Sequence, residues 1–259
     1  MSVVISYEPG VPCWVDVGST DLERSIAFYD GLFGWRAVRL GPEAGGYVRF
    51  RLDGVDVAAV GPAHEGAPPM WTTYFATEDA DASADGIAAA GGEILTPPFD
   101  VPGAGRMAVA RDPTGAVFAL WQAKGHSGTG IVDEPVSPTW HELATRDVEA
   151  AVAFYGDVFG WGPEALAGGE SFVYRVMKLR ARTAAGIMAL PESWGEDHPP
   201  CWSVYFAVED ADQTVARAEE LGGAVVSPPR DTPYGRTAVL HDPLGASFSV
   251  IRLAEESVA

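Results

Sequence analysis

Two carboxylates stand in the same unusual company. Asp16 follows Trp14 by two residues in WVDVG, and Glu142 follows Trp140 by two residues in WHELA. Side chains two apart in an extended strand lie on one face, so each acid would share a surface with an indole. A carboxyl desolvated beside Trp has its pKa raised and can exchange protons near neutral pH. Tyr74 in WTTYFA and Tyr205 in WSVYFA extend the aromatic surface. Such a lining suits a flat hydrophobic ligand stacked on rings and held by a few polar anchors. Asp16 and Glu142 are therefore the candidate acid-base residues, and Trp14, Tyr74, Trp140 and Tyr205 the candidate ligand contacts. Arg106 and Arg236, each in a Gly-Arg pair before a strand, are candidates to orient an anionic or quinone-like ligand oxygen. Plainer roles exist for the charged members: a short acid beside an aromatic surface also serves as a hydrogen-bond acceptor, and a surface Arg also pairs with an acid.

The residues come in pairs because the chain says nearly the same thing twice. WVDVGSTDLERSIAFYDGLFGW, from Trp14 to Trp35, returns from Trp140 to Trp161 as WHELATRDVEAAVAFYGDVFGW. PPMWTTYFATEDAD from Pro68 returns as PPCWSVYFAVEDAD from Pro199, and RDPTGAVF as HDPLGASF. A repeat of this length is domain-sized, too long for a solenoid unit.

Each copy reads as strand, helix, then further strands, twice over. Val11 to Gly18 is a short apolar strand. Thr20 and Asp21 offer helix N-cap oxygens, Leu22, Ile26, Tyr29 and Phe33 follow at helical spacing, and Gly34 stops the helix. Asp53-Gly54 between alternating segments is a two-residue hairpin signal. A second unit begins at Met70 to Ala76, with a helix from about Asp79 to Gly91-Gly92 and a turn at Asp112 to Gly115. Helices are expected again at Asp147 to Phe159 and Asp210 to Leu221. The fold class is α+β: two tandem domains, 1–124 and 138–259, each made of paired βαβββ units. Residues 125–137, rich in Gly, Ser and Pro, read as the linker.

The order Asp-x-x-x-(Ala/Ser)-x-x-Phe-Tyr, Phe-Gly-Trp, Glu-Asp-Ala-Asp and Asp-Pro-x-Gly, found in both copies, resembles the vicinal oxygen chelate superfamily of glyoxalases, bleomycin-resistance proteins and extradiol dioxygenases. More narrowly, the tandem arrangement with Trp at each first strand and Phe-Gly-Trp after each first helix looks like an actinobacterial group of paired glyoxalase-like proteins named as hydroxylases or 27 kDa antigens, with related ones beside aromatic polyketide antibiotic genes. The resemblance implies that the paired units of each domain form a curved mixed sheet enclosing a cup, in which metal-dependent members place His, Gln or Glu ligands. Counted from the Asp that starts each helix or turn, those positions hold Trp14, Thr72 and Ala119 in the first copy, and Trp140, Ser203 and Ser249 in the second. None of these is a usual metal donor. No metal and no cofactor is therefore expected. A one-residue slip of register would turn His141 inward instead.

Bulk properties bound the rest. The 259 residues are 47% hydrophobic and carry 36 acidic against 17 basic side chains, a formal charge of −19. That field repels phosphate backbones and anionic membranes, which excludes nucleic acid and membrane surfaces as expected partners. No apolar run nears a bilayer span and no basic-then-apolar leader opens the chain, so a cytoplasmic location is expected. Cys13 and Cys201 are too few for a disulfide framework. No phosphate loop, dinucleotide fingerprint or nucleophile elbow is present. Two functions are compatible with these residues: metal-free binding of a small aromatic molecule by a monomer or homodimer, or a tailoring enzyme, hydroxylase-like or lyase-like, using Asp16 or Glu142 as general base.

Overall fold

The computed structural model describes residues 3–64, 66–164, 173–195 and 197–254. The first copy contains β1 (Pro12–Ser19), α1 (Leu22–Phe33), β2 (Arg36–Arg39), β3 (Val48–Leu52), β4 (Val55–Pro62), β5 (Met70–Ala76), α2 (Ala80–Ala89), β6 (Glu93–Val101), β7 (Gly105–Arg111) and β8 (Val117–Ala123). The second contains β9 (Pro138–Thr145), α3 (Val148–Phe159), β10 (Gly162–Glu164), β11 (Tyr174–Leu179), β12 (Arg182–Ala189), β13 (Cys201–Ala207), α4 (Ala211–Glu220), β14 (Ala224–Thr232), β15 (Gly235–His241) and β16 (Ser247–Leu253).

Local chemistry sets these elements as anticipated. Asp21, Asp79, Asp147 and Asp210 each cap a helix by accepting backbone N–H groups of its first turn. Gly34 and Gly160, the glycines of the two FGW motifs, end α1 and α3 in the left-handed conformation, at φ 69° and 72°. Asp53 and Gly54, both at positive φ, make the tight turn between β3 and β4. The edge strands β2 and β10 were not foreseen; both are short and carry little apolar alternation, which leaves no periodic signal.

Each copy forms its own eight-stranded mixed sheet, ordered β2-β3-β4-β1-β5-β8-β7-β6 and β10-β11-β12-β9-β13-β16-β15-β14. The two βαβββ units of a copy meet where β1 runs antiparallel to β5, and β9 to β13. The cups are therefore built within copies.

The hydrophobic cores are built between copies. Val15 and Val17, on the face of β1 opposite the cup, join Phe28, Tyr29 and Phe33 of α1 in one cluster with Phe206, Phe248 and Val250 of the second copy. The other cluster reverses the roles, combining Phe154 and Tyr155 of α3 with Phe75, Phe118 and Leu120 of the first copy. Polar ties follow the same exchange. Tyr29 donates to Asp242 at 3.1 Å and Tyr155 to Asp112 at 2.9 Å, while Trp71 and Trp202 donate to those tyrosine oxygens at 3.0 and 2.9 Å. The FGW indoles reach across too, Trp35 to the carbonyl of Val136 and Trp161 to that of Gly10, both at 2.8 Å. The repeated Phe-Tyr, Phe-Gly-Trp and Asp-Pro-x-Gly motifs are thus the bonds that hold the two sheets back to back.

Residues 125–137 have no regular secondary structure but do not hang free. His126, Thr129, Ile131 and Ser137 are all buried, and Thr129 N–H donates to the carbonyl of Cys13.

Candidate functional site

The alternation of β1 turns Trp14 and Asp16 to the concave face, and the register pairs Trp14 with Tyr74 across to β5. One carboxylate oxygen of Asp16 accepts the hydroxyls of Tyr74 at 2.7 Å and Tyr47 at 2.8 Å, and Tyr47 in turn accepts the indole N–H of Trp14 at 2.9 Å. The second cup repeats this arrangement. Tyr205 donates to Glu142 at 2.7 Å, Tyr174 also hydrogen-bonds Glu142, and Trp140 donates to Tyr174 at 3.1 Å. Each cup thus has an indole, two phenols and one acid linked in a chain of hydrogen bonds that ends on the carboxylate.

Burial pushes the Asp16 carboxyl up from 3.8 to about 6, against the two phenol hydrogen bonds, which favour the anion. Glu142 is raised by the same burial, opposed by Tyr205, Tyr174 and the charge of Arg230. Burial and the adjacent acid hold all four phenols well above the usual tyrosine range, so they act as donors. A carboxylate fixed by two phenols in an apolar setting can take a proton from a bound acidic phenol or enol, or receive the hydroxyl of a ligand that displaces one tyrosine.

The cups differ in access. In the first, Trp14, Asp16 and Tyr74 are only 3%, 8% and 7% exposed. His126 closes it, its ring edge-on to Trp14 with centroids 4.5 Å apart and to Trp121 at 5.9 Å. Burial lowers the His126 pKa to about 4, and its Nε2 is buried without a hydrogen-bond partner. The first cup is therefore filled by its own side chains, not the open hollow expected from sequence. In the second, Trp140, Glu142, Tyr174, Ser203 and Tyr205 are all half-buried. Gly186 makes room on its floor: a Cβ there would collide with the Tyr174 hydroxyl and come within 3.2 Å of the Trp140 ring.

The two arginines lie elsewhere. On β7, Ala108 and Ala110 enter the inter-copy core, so Arg106 shares their face and leaves the cup. Its guanidinium pairs with Asp81 of α2 through bonds of 2.7 and 2.8 Å. Arg236 pairs likewise with Asp212 and Asp231. Strand alternation and an acid in the first helical turn explain both, and neither arginine lines a cup. His141 also points outward: its Nδ1 lies 3.1 Å from Thr73 Oγ1 of the other sheet, and burial lowers its pKa to about 3. The residues that sequence reasoning missed are Tyr47, Tyr174 and His126. Tyr47 directly precedes β3 and Tyr174 opens β11, the equivalent strand, but a one-residue difference in their spacing from Trp14 and Trp140 hides the match. His126 was concealed in the presumed linker.

A sequence profile of the Glyoxalase/Bleomycin resistance protein/Dioxygenase superfamily matches residues 14–120 and 137–250. The chain belongs to this superfamily. The anthracycline biosynthesis protein DnrV of Streptomyces peucetius is 44% identical over 265 residues, 96% of this chain and 95% of that protein. CFP32 of Mycobacterium tuberculosis, named as a glyoxylase, is 42% identical over 258 residues, 96% of this chain and 97% of its own. Among solved structures, the Mn(II)-bound glyoxalase from Novosphingobium aromaticivorans has a TM-score of 0.65 at 19% identity, covering 93% of this chain and 82% of that one, a likeness of fold.

The cups do not fit a divalent metal. The ligand positions implied by the superfamily hold Trp, Thr, Ala and Ser, and the one carboxylate in each cup is engaged by phenols. Such ions need several imidazole, thiolate or carboxylate donors converging on one point. Among the described residues, no three His, Cys, Asp or Glu come together. Nor, among them, is any helix long and apolar enough to cross a membrane.

Proposed function

We propose that the second cup binds a flat, polycyclic aromatic molecule bearing a hydroxyl or enol, through Trp140, Tyr174, Glu142 and Tyr205 and without a metal, in natural-product metabolism. The observation that carries this reading is the half-buried hydrogen-bonded chain of indole, phenols and acid in that cup. The ring faces offer stacking surface, and a ligand hydroxyl donating to Glu142 replaces a phenol bond with an equally strong charge-assisted one. The superfamily's small-molecule chemistry and the relatives named for anthracycline biosynthesis support the ligand class. The cups' donor chemistry supports binding that uses no metal.

A second reading is favoured by one observation, the raised pKa of Glu142 in an accessible cup. There the same carboxyl acts as a general base on the bound aromatic, as in a tailoring enzyme. Titration of the protein with 1,8-dihydroxyanthraquinone, followed by indole fluorescence, tests the binding; Trp140→Ala should weaken it at least tenfold. In Glu142→Gln, retained affinity with lost turnover of an aromatic substrate supports catalysis, and loss of affinity alone supports binding.

A further inference from the structure

The strongest departure from the internal two-fold lies at the lower ends of the central strands. Counting back from Trp14 and Trp140, Ile5 corresponds to Ile131 and Glu8-Pro9 to Glu134-Pro135, so the repeat extends in front of both first strands. In the first copy this segment seals the start of β4. Ile131 is fully buried in the core alongside Val55 and Val57, Gly130 N–H donates to the carbonyl of Asp56 at 2.7 Å, and the Thr129 hydroxyl donates to that of Val57 at 3.3 Å. Gly128, at φ 117°, permits the close approach, since a Cβ there would collide with the Cys13 carbonyl.

In the second copy no described residue takes the corresponding place. The start of β12, Arg182 to Ala184, stands where Val55 to Val57 stand in the first copy, and Ile5, which would be the plug, is 81% exposed. What remains is a cavity of about 260 Å³ between the copies, bordered by Cys13, Thr139, Trp140, His141, Arg182 and Ala184. An enclosed space of about 150 Å³ is enough for one benzene ring, so this one has room for one or two. Arg182 is exposed at its border, and its charge and that of Asp133, which also lines the space, are both felt by the Tyr7 hydroxyl.

We propose that this inter-copy cavity is a second small-molecule site, distinct from the cups, that takes a one- or two-ring hydroxyaromatic acid. Its rings occupy the space filled by Ile131 in the first copy. Its hydroxyl donates to a carbonyl at the start of β12, as Thr129 does to β4. Its acid group pairs with Arg182, the only charge of suitable sign among the described residues at that border.

The test is titration of the full chain with 3-hydroxy-2-naphthoate, followed by the probe's own fluorescence. The site requires saturable one-to-one binding that falls at least tenfold in Arg182→Ala and is lost in Thr183→Trp, whose indole would occupy the space. Both positions are exposed, and unchanged denaturation midpoints would show that the variants fold. Glu142→Gln separates the cavity from the cup, because Glu142 lies in the cup and not at the cavity's border, and it should leave this affinity unchanged. No binding, or binding insensitive to both Arg182→Ala and Thr183→Trp, would overturn the proposal. Binding lost only in Glu142→Gln would overturn it as well, while leaving the cup reading intact.

Discussion

Asp16→Asn should relieve a pH-dependent burden on the fold. The Asp16 carboxyl is buried, and its pKa rises from 3.8 in the unfolded chain to about 6 in the folded one. Between those values the folded state holds the proton more tightly, so stability falls as pH rises through this window and levels off above it. The shift corresponds to about 3 kcal/mol by pH 7. Asn keeps a carbonyl oxygen for Tyr47 and Tyr74 but has no charge to desolvate. Urea unfolding of both proteins from pH 4 to pH 8 should show the difference, variant minus wild type, moving in favour of Asn by about 2.5 kcal/mol, mostly between pH 4 and 6.5. His126, whose pKa is lowered to about 4, adds stability that is lost as pH falls from about 6.5 toward 4. That contribution is present in both proteins and cancels in the difference. A difference that stays flat across the range would refute the account of Asp16 as a desolvated carboxylate.

Three further outcomes follow from the geometry. Tyr29→Phe and Tyr155→Phe each strand a buried indole N–H and remove one cross-copy bond, and should each cost about 1–3 kcal/mol in denaturant unfolding while leaving the cups' ligand affinity intact. Gly186→Ala pushes a methyl into Tyr174 and Trp140, and calorimetric titration with 1,8-dihydroxyanthraquinone should show at least a tenfold loss of affinity with the fold retained. Arg106→Ala and Arg236→Ala, which break only exposed pairs outside the cups, should leave that affinity unchanged in the same titration.

Much of the architecture was legible because the repeat doubles every signal. The caps at Asp21, Asp79, Asp147 and Asp210 and the Asp53-Gly54 turn are local chemistry, decided by residues close in sequence. The indole, acid and second phenol of each cup were legible for the same reason, since a strand's period of two fixes which side chains share a face. What sequence did not reveal depends on contacts between distant segments. Phe28, Tyr29 and the Asp-Pro-x-Gly turns read as features of one domain, yet they join the two copies, because a helix's apolar face does not say which sheet it will meet. Arg106 and Arg236 were singled out by their Gly-Arg context, which does not show that Asp81 and Asp212, in the first turns of α2 and α4, take up their guanidinium groups. Residues 125–137 carried the composition of a flexible connection, and only the packing of His126 and Ile131 shows that the segment closes one cup and seals one core.

The most direct measurement of the central claim is the affinity of chelator-treated protein for 1,8-dihydroxyanthraquinone, with and without added Mn(II) or Zn(II), in wild type and Trp140→Ala. A cup built on rings and one phenol-held carboxylate predicts tight binding that is indifferent to metal and falls at least tenfold with the loss of the Trp140 indole. Binding that appears only when a divalent ion is supplied, or that survives Trp140→Ala unchanged, would contradict it.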